Sequence, residues 1–393
     1  MQNDLPRNLT LDNPNTGFSI LRVATYPTVQ KNGVGLPAYM LAVDKRYSTI
    51  YRAPLHQDGD VPLDLPNKSV DLRFIPFSNR AMPEDRQLSR KTVVAFSRRI
   101  AAVALLSMRL LIDKKASQVD LVHIHSPMYV AIAAHAKLRK LSTVITIHGT
   151  DFIRLRDSKI LRRLLMPIDR ILCVSDHFAS ELRTLFPEKI IETVYNGVDT
   201  TLFSPSGGLT SERRNQVISV GSLRWHKDQQ NLIMAFAQLA HKHANWDLVV
   251  VGDGELRQKL VQTAASYGLA DRIRFPGTLS HEMLAKELSV SKIFALSSVT
   301  EGLPKALLEA MASGCACIST DVGECRAVLN DSGLIVEPRD PTSLAQALDS
   351  LIGSCSLVNT LGAKAINRAQ DFTWQSYRDK HMAIYQSLLG HRL

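Results

Sequence analysis

The sequence predicts an α/β protein made of two doubly wound domains, each with a parallel sheet. Short apolar runs alternate with helical patterns, and this alternation occurs once in each half of the chain. The runs are continuously apolar and each ends in polar residues or glycine, which is typical of parallel strands buried on both faces. At 393 residues the chain is also too long for one ordinary hydrophobic core.

The first half contains four predicted strands and two clear helical patterns. The strands are residues 20–27, 120–126, 143–149 and 170–176, and the helices are about 86–117 and 127–140. The second half repeats the design. Its strands are residues 216–223, 247–254, 292–298 and 315–320, and its helices are about 228–243, 254–267, 281–289 and 304–313.

Composition shifts along the chain predict the domain boundaries. Residues 1–16 are polar, lack the basic and apolar regions of a signal peptide, and are interpreted as a flexible leader. The region around residue 205 has proline, Gly-Gly and serine clusters without periodicity, which is typical of a linker. We therefore predict an N-terminal domain at 17–200, a linker at 201–215, a C-terminal domain at 216–372, and a terminal helical segment at 373–393.

The composition indicates a soluble globular protein, with 45% hydrophobic and 21% charged residues. No stretch approaches the roughly 20 apolar residues needed to span a bilayer. The cysteines are odd in number and include no CxxC pair, so buried, reduced cysteines are expected; their positions are 173, 315, 317, 325 and 355. Reduced thiols favour a cytoplasmic location.

The net charge of +10 lies almost wholly in the N-terminal half. Residues 1–200 contain 28 Lys and Arg against 19 Asp and Glu, with basic clusters at 86–115 and 154–163. Such a basic half suits nucleic acid, an anionic membrane or a phosphorylated acceptor, and a merely solvated basic face is an equal alternative. The low aromatic content of 6% and the lack of a recognisable motif argue against nucleic-acid binding.

Two glutamates occur in "SVTEGLPKALLEAMASG", residues 298–314. Pro304 fits the first turn of a helix, which places Glu301 in the loop before that helix and Glu309 inside it. Free N–H groups at the start of the helix would suit an anion near Glu301. The alternative for Glu309 is a surface pair with Lys305, worth only ~0.3 kcal/mol.

Two further segments follow predicted strands, where doubly wound sheets bind ligands. In "VGSLRWHKD", Arg224 and Lys227 precede a helix, and two cations in such a loop suit a diphosphate. In "TIHGTDF", His148 can donate a hydrogen bond to a hydroxyl or phosphate oxygen, with Asp151 as an orienting carboxylate. Each motif alone is also compatible with solvated or structural residues.

Other matches are rejected. "VGDGELR" resembles a dinucleotide fingerprint, but Arg257 stands where the third glycine belongs. The "DGD" of residues 58–60 resembles a metal-binding DxD signature, yet it lies in a polar loop without a supporting strand. No P-loop, HExxH, GxSxG or zinc spacing occurs, so no metal site is predicted.

Seven motifs in this order and spacing resemble the retaining family-4 glycosyltransferases of the GT-B fold. They lie between about residues 20 and 385 and are "NGVG", "HGTDF", "VYNGVDTTLFSP", "VGSLRWHKD", "VVVGDGELR", the E-x7-E of "EGLPKALLEAMASG", and "STDVGECRAVL". The resemblance implies two Rossmann-like domains facing a cleft. The N-terminal domain would bind the acceptor and the C-terminal domain the nucleotide sugar, with the final helix crossing back to the first domain.

The resemblance also implies roles for the candidate residues. Arg224 and Lys227 would bind the donor diphosphate and stabilise the departing nucleotide, in place of a metal ion. Glu301 would bind the donor sugar near its anomeric carbon, and Glu309 would bind the ribose hydroxyls. His148 would contact the sugar or its phosphate.

Backbone segments complete the implied donor site. Gly302, Leu303 and Pro304 would line the sugar, while Gly33 and Gly35 would leave room at the diphosphate. The Gly33-Val34-Gly35 loop departs from the commoner Gly-Gly form of the family. The resemblance implies no metal or resident cofactor, since the nucleotide-diphosphate sugar is itself the donor substrate.

The implied reaction transfers a hexose from a UDP- or GDP-sugar to a saccharide acceptor, with retention of anomeric configuration. The basic N-terminal half suggests a lipid-linked acceptor in bacterial surface or exopolysaccharide biosynthesis, with the enzyme in the cytoplasm or peripheral at the inner membrane. The alternative is a nucleotide-sugar epimerase or another GT-B enzyme, such as a phosphorylase, that uses no saccharide acceptor.

Overall fold

A computed structural model describes residues 18–24, 35–54, 70–75, 118–205 and 213–390. The chain divides into two compact units. The first contains the described residues up to Val194 together with those from Arg378 onward, and the second runs from Tyr195 to Tyr377. Each unit is built around a parallel sheet with helices on its faces.

Within the described ranges, the sheet of the first unit has seven strands, all parallel. They are β1 Ser19–Val23, β2 Ser48–Pro54, β3 Val70–Ile75, β4 Leu121–Ile124, β5 Ser142–Ile147, β6 Arg170–Cys173 and β7 Ile190–Thr193. Their spatial order is β3-β2-β1-β4-β5-β6-β7, so the winding direction reverses between β1 and β4. The fully buried strands β4 and β5 confirm the expectation from their continuous apolar runs.

Helices of the first unit begin at serine caps in two places. The side chain of Ser158 accepts a hydrogen bond from the Leu161 amide, and that of Ser175 accepts one from the Phe178 amide. The helices are Gly35–Ala42, Ala131–Leu138, Gly149–Asp157, Lys159–Leu164 and Asp176–Leu185. The helix expected at about 86–117 lies outside the described residues.

The sheet of the second unit has the strand order β10-β9-β8-β11-β12-β13, and again all pairings are parallel. The strands are β8 Arg214–Val220, β9 Asp247–Val251, β10 Ile273–Gly277, β11 Ser291–Leu296, β12 Ala316–Thr320 and β13 Gly333–Val336. Here the winding reverses between β8 and β11. Because Val217 and Ile218 point to opposite faces of β8, they belong to two separate hydrophobic clusters.

Helices cover both faces of this second sheet. The helix after β8 packs with Leu232 and Phe236 into one cluster, whereas the helix after β11 packs with Leu307 and Met311 into the other. The helices are Gln229–Leu239, Arg257–Ser266, His281–Val290, Lys305–Ala312, Cys325–Leu329, Pro341–Ile352, Cys355–Ala369 and Trp374–Leu389. The last of these passes from the second unit into the first at Arg378.

The predicted fold class is confirmed, with a doubly wound parallel sheet in each unit and a final helix that ends in the first unit. Cys173, Cys315, Cys317 and Cys325 are buried thiols, but Cys355 is exposed, contrary to expectation, because it begins a helix at the surface. None of the described helices is both long enough and apolar enough to cross a bilayer. The leader at 1–16 lies outside the described residues, and the domain boundaries drawn from the sequence stay predictions.

Gly252, directly after β9, allows two strand ends to approach each other closely. Its φ is +133°, and a Cβ there would lie 1.9 Å from the carbonyl oxygen of Gly221, which follows β8. Gly268 also has a positive φ, +70°, but no atom lies within 4 Å of a Cβ built there.

We expect Gly252→Ala to lower the free energy of unfolding by about 3 kcal/mol, because the methyl group adds a backbone clash to the strain of a positive φ. Gly268→Ala is the matched control and should cost only about 1 kcal/mol, since it adds strain alone. Chemical denaturation of both variants measures the difference. Equal losses in the two variants would contradict the close approach at Gly252.

Candidate active site

Two loops of the second unit meet where its strand order reverses. Doubly wound sheets bind ligands at such points, because the loops from the two central strands lead to helices on opposite faces and leave a crevice. The loop after β8 carries Arg224 and Lys227, and the loop after β11 carries Glu301. Residues far apart in the chain therefore come together at one edge of the sheet.

Hydrogen bonds hold the two loops against each other. The amide of Val299 donates to the carbonyl oxygen of His226 (2.9 Å), and the hydroxyl of Ser297 donates to the carbonyl oxygen of Lys227 (3.0 Å). Residues Trp225–Lys227 form a short 3-10 turn at this point. The backbone that carries Lys227 is thus fixed to the end of β11.

Lys227 and Glu301 form an ion pair across these loops. The Lys227 Nζ lies 2.6 Å from the Glu301 Oε1, and the Ser298 hydroxyl donates to the same oxygen at 2.6 Å. The two side chains are only 19% and 9% exposed. The aliphatic stem of Lys227 runs past Gly221, where a Cβ would lie 3.5 Å from the Lys227 Cδ. A positive charge is therefore held at the crevice with a carboxylate as its partner.

Arg224 and His226 flank this lysine in the same loop. Arg224 is exposed, and its carbonyl oxygen accepts a hydrogen bond from the Lys227 amide (3.0 Å). Burial and the neighbouring Lys227 charge lower the pKa of His226 below 6.5, although Glu301 acts in the opposite direction. Sequence reasoning did not single out His226, even though it stands inside the "RWHK" segment. At neutral pH the loop thus presents two cations and a neutral imidazole.

The segment expected to line the donor sugar leads into the helix Lys305–Ala312. Pro304 is the N-cap residue, with φ −77° and ψ 99°, rather than a residue of the first turn, because its ψ is extended. Its carbonyl oxygen accepts from the amides of Leu307 and Leu308. Pro304 is buried, while Gly302 and Leu303 are partly exposed. Part of the Gly302 and Leu303 surface is therefore accessible next to Glu301 in the chain.

A third loop, after β12, supports this segment, and sequence reasoning missed its role. The Glu324 amide donates to the carbonyl oxygen of Gly302 (3.1 Å), and the Tyr195 hydroxyl donates to the Glu324 Oε2 (3.1 Å). Gly323 has φ +52°, and a Cβ there would lie 2.4 Å from the carbonyl oxygen of Glu301. Gly323 and Glu324 belong to the "STDVGECRAVL" motif, and this motif was the sequence signal that could have identified the supporting loop.

Glu309 lies within the helix, and its environment differs from that of an ordinary surface pair. Burial raises its pKa from 4.5 to about 7, although the Lys305 charge one turn earlier acts in the opposite direction. Burial also lowers the pKa of Lys305. Glu309 as a whole residue is partly exposed. A half-protonated carboxyl at neutral pH is unusual for a solvated glutamate.

The first unit holds the other predicted side chains. His148 follows β5 and is the N-cap residue of helix Gly149–Asp157, where its carbonyl oxygen accepts from the amides of Asp151 and Phe152. It is 8% exposed. The Asp151 Oδ1 accepts a hydrogen bond from the hydroxyl of Ser126, which follows the adjacent strand β4 (3.2 Å). His148 and Asp151 therefore lie at the carboxyl edge of their sheet, as expected from their positions after a strand.

Of the remaining predicted site residues, only some lie in the part of the chain that the structure describes. Gly33 lies outside the described residues, and Gly35 begins the helix Gly35–Ala42. Asp58 and Asp60 of the "DGD" segment also lie outside them. In the part of the chain that the structure describes, no three His, Cys, Asp or Glu side chains are grouped so as to hold a metal ion.

Two family models match consecutive parts of the chain. The glycosyl transferases group 1 model matches residues 205–368, and the glycosyltransferase family 4 model matches residues 71–202. Together they span the loops that carry Arg224, Lys227, Glu301 and His148. The join between the two models falls close to the boundary between the two units.

Curated relatives share moderate identity with the chain. A phosphatidylinositol N-acetylglucosaminyltransferase component from Arabidopsis thaliana is 28% identical over 265 residues, which cover 65% of this chain and 58% of the relative. The N-acetyl-alpha-D-glucosaminyl L-malate synthase of Bacillus anthracis is 28% identical over 289 residues, covering 68% and 74%. The chain thus aligns with little more than half of the Arabidopsis protein.

Solved structures share the fold over nearly the whole chain. The sucrose-phosphate synthase of Thermosynechococcus elongatus superposes with a TM-score of 0.73 at 18% identity, covering 95% of this chain and all of that one. Anabaena HepE in complex with UDP gives a TM-score of 0.72 at 16% identity, covering 94% and 100%. The two family models, which together match most of the chain, show that it belongs to glycosyltransferase family 4, the glycosyl transferases group 1.

Proposed function

We propose that the enzyme transfers a hexose from a UDP- or GDP-sugar to a lipid-linked saccharide acceptor in bacterial surface or exopolysaccharide biosynthesis, with retention of anomeric configuration. The observation that carries the proposal is the Lys227–Glu301 ion pair at the reversal point of the second sheet. An ammonium beside a carboxylate supports the proposal, because a sugar diphosphate needs a cation for its phosphates and a hydrogen-bond acceptor for its hydroxyls.

The donor diphosphate would take over the Lys227 ammonium from Glu301. Before the donor binds, the two side chains neutralise each other at 2.6 Å. A bound diphosphate carries more negative charge than one carboxylate, so it competes well for the ammonium, and the exposed Arg224 would add a forked contact. Glu301 would then be free to accept hydrogen bonds from the sugar hydroxyls, alongside the backbone of Gly302, Leu303 and Pro304.

Transfer would break the bond between the anomeric carbon and the β-phosphate oxygen while the acceptor oxygen bonds to that carbon from the same face. The acceptor proton would pass to the departing phosphate, whose growing charge Lys227 and Arg224 would stabilise. His148 would contact the sugar or its phosphate. Glu309 would accept hydrogen bonds from the nucleotide ribose, and the glycines Gly33 and Gly35 would lie near the diphosphate.

An exposed surface of the first unit supports peripheral membrane contact. The helix Lys159–Leu164 has no buried residue, and its Ile160 and Leu164 are 74% and 46% exposed. Lys159, Arg162 and Arg163 lie on the same helix. Apolar side chains beside basic ones suit an anionic bilayer surface, where each basic residue adds about 1 kcal/mol. The other basic cluster, at 86–115, lies outside the described residues.

The decisive experiment is a thermal-shift panel of UDP-glucose, UDP-galactose, UDP-N-acetylglucosamine and GDP-mannose, run in EDTA and followed by transfer assays. Because two relatives are named for an N-acetylglucosaminyl group, the panel includes UDP-N-acetylglucosamine beside the three hexose donors. A donor present at 100 times its Kd should stabilise the protein by ~2.7 kcal/mol. Rapid turnover of the donor without an acceptor would favour the epimerase, and a strict Mg²⁺ or Mn²⁺ requirement would contradict metal-independent transfer.

Lys227→Ala and Glu301→Ala should each reduce transfer by about 100-fold or more, because each removes a contact to the reacting donor. They should differ in binding: Lys227→Ala weakens UDP or GDP binding, whereas Glu301→Ala leaves it equal or tighter, since Lys227 loses its competing partner. Calorimetry and steady-state kinetics measure both effects. Lys242→Ala, which removes an exposed ion pair with Asp349 in the same unit, is the control and should change neither. Near wild-type transfer in either site variant would refute the assignment.

Glu309→Gln should remove a pH dependence of donor binding. With a pKa of about 7, Glu309 gains a proton as the pH falls from about 8.5 to about 6.5, and a protonated carboxyl accepts ribose hydrogen bonds less well. Wild-type affinity for the nucleotide sugar should therefore fall by about fourfold at most across this range, in proportion to the unprotonated fraction of Glu309. The glutamine variant should bind weakly and equally throughout. Calorimetry at several pH values measures the affinity for the nucleotide sugar. An equal fall in affinity in Glu309→Gln would show that another group causes the pH dependence.

Ile160→Asp combined with Leu164→Asp should weaken binding to phosphatidylcholine vesicles containing phosphatidylglycerol, because the change removes apolar insertion and adds negative charge. In a flotation assay, vesicle binding should fall at least fivefold. This corresponds to ~1 kcal/mol, which is the contribution of one basic residue at such a surface. Val261→Asp, at a residue 43% exposed in the second unit, is the matched control. Unchanged flotation of the double variant would leave the helix as an ordinary solvated face.

A further inference from the structure

His125 is a buried imidazole of the first unit to which no role has so far been assigned. It directly follows β4, one of the two strands between which the winding of the first sheet reverses. It is 0% exposed, and its amide donates to the carbonyl oxygen of Val23 on β1 (3.0 Å). Neither ring nitrogen makes a hydrogen bond to any residue in the part of the chain that the structure describes.

His123, two residues earlier, provides a direct contrast. The two rings lie on the same face of the strand, with centroids 3.9 Å apart. The His123 Nδ1 lies 2.7 Å from the hydroxyl of Tyr385, and its Nε2 lies 2.8 Å from the Oγ1 of Thr146. His123 is thus a satisfied structural residue. His125 is equally buried and directly follows the same strand, but neither of its ring nitrogens has a hydrogen-bond partner among the described residues.

A buried polar group without a partner lowers stability, so its presence requires another reason. Replacement of His125 by an apolar residue would give a better core. Sites that bind a ligand commonly retain such groups, because the ligand supplies the missing hydrogen bonds. The position of His125 at the reversal point of the sheet, where doubly wound folds bind ligands, agrees with this reason.

The surroundings of His125 define what kind of group it can bind. Burial, followed by the nearby Arg22, His148 and His381, keeps the pKa of His125 well below 6.5. A neutral imidazole has one N–H donor and one acceptor nitrogen, and it carries no charge to attract phosphate. A hydroxyl group likewise both donates and accepts. The ring therefore complements a sugar or polyol hydroxyl better than an anion.

We propose that His125 binds a hydroxyl group of the acceptor saccharide at the reversal point of the first sheet. This inference rests on the proposed function, because it assumes that the acceptor is a saccharide. His148, at the end of the neighbouring strand β5, lies on the same edge of the sheet. The full burial of the ring means that the hydroxyl must displace the atoms that now cover it, so the contact excludes water.

The test compares His125→Phe with His123→Phe, using octyl α-D-glucopyranoside, octyl α-D-mannopyranoside and octyl β-D-galactopyranoside as acceptor probes. For His125→Phe we expect an unchanged or higher Tm, an unchanged Kd for the donor, and at least a tenfold loss in kcat/KM for the acceptor. For His123→Phe we expect a lower Tm, since Tyr385 and Thr146 lose their partner. Unchanged acceptor kinetics in His125→Phe would make His125 an ordinary core residue and overturn the proposal.

Two further measurements separate binding from structural damage. Monodeoxy analogues of the best acceptor should identify one hydroxyl that His125 binds. Removal of that hydroxyl should lower kcat/KM of the wild type about as much as His125→Phe lowers it with the complete acceptor. The same removal should lower kcat/KM of the His125→Phe variant no further. His125→Gln, which keeps a donor and an acceptor, should recover part of the loss. The proposal would be overturned if, for every hydroxyl, the loss in kcat/KM from its removal added to the loss from His125→Phe. It would also be overturned if His125→Phe changed only the Kd for the donor.

The same assays keep the two hypotheses distinct. If wild-type protein binds no nucleotide sugar, the proposed function fails whatever His125 does. If it binds a donor but neither binds nor glycosylates any of the three acceptor probes, the saccharide acceptor site at His125 is refuted while the donor site stands.

Discussion

The parallel arrangement of both sheets is the constraint on which the rest of the molecule depends. A parallel strand must be followed by a crossover, so the carboxyl ends of all strands in a sheet lie at one edge. Where the winding reverses, the loops after the two central strands lie side by side and lead to helices on opposite faces of the sheet. In the second unit this geometry brings Lys227 to Glu301, and in the first it places His125 and His148 at the same edge.

The two reversal points differ in electrostatic character. In the second unit the crevice holds the Lys227 ammonium and Glu301 carboxylate, with Arg224 close by. In the first, burial and neighbouring cationic groups keep His125 neutral. Charged groups suit a diphosphate, and a neutral imidazole suits a hydroxyl. This contrast is the physical basis for our proposal that the donor binds to the second unit and an acceptor hydroxyl to the first.

Sequence patterns predicted the central strands far better than the outer ones. The runs at 120–126, 143–149, 247–254 and 292–298 contain β4, β5, β9 and β11, which are flanked by strands on both sides and buried on both faces. No apolar run predicted the edge strands of the two sheets, which are β3, β7, β10 and β13, or the inner strand β2. An edge strand such as "IIET" or "IRFPG" contacts less of the core, so its residues need not form a continuous apolar run.

The sequence by itself determined the fold class, the four helices that follow β8, β9, β10 and β11, and the loop positions of Lys227 and Glu301, because apolar periodicity and strand-end motifs are local properties. It did not predict the helices Pro341–Ile352 and Cys355–Ala369. Only the tertiary structure decided that these two side chains pair, that Glu309 has a pKa near 7, and that Gly323 lies beneath Glu301. It alone distinguished His125 from His123. Each of these facts depends on strand order and burial, which are set by contacts between residues distant in the chain.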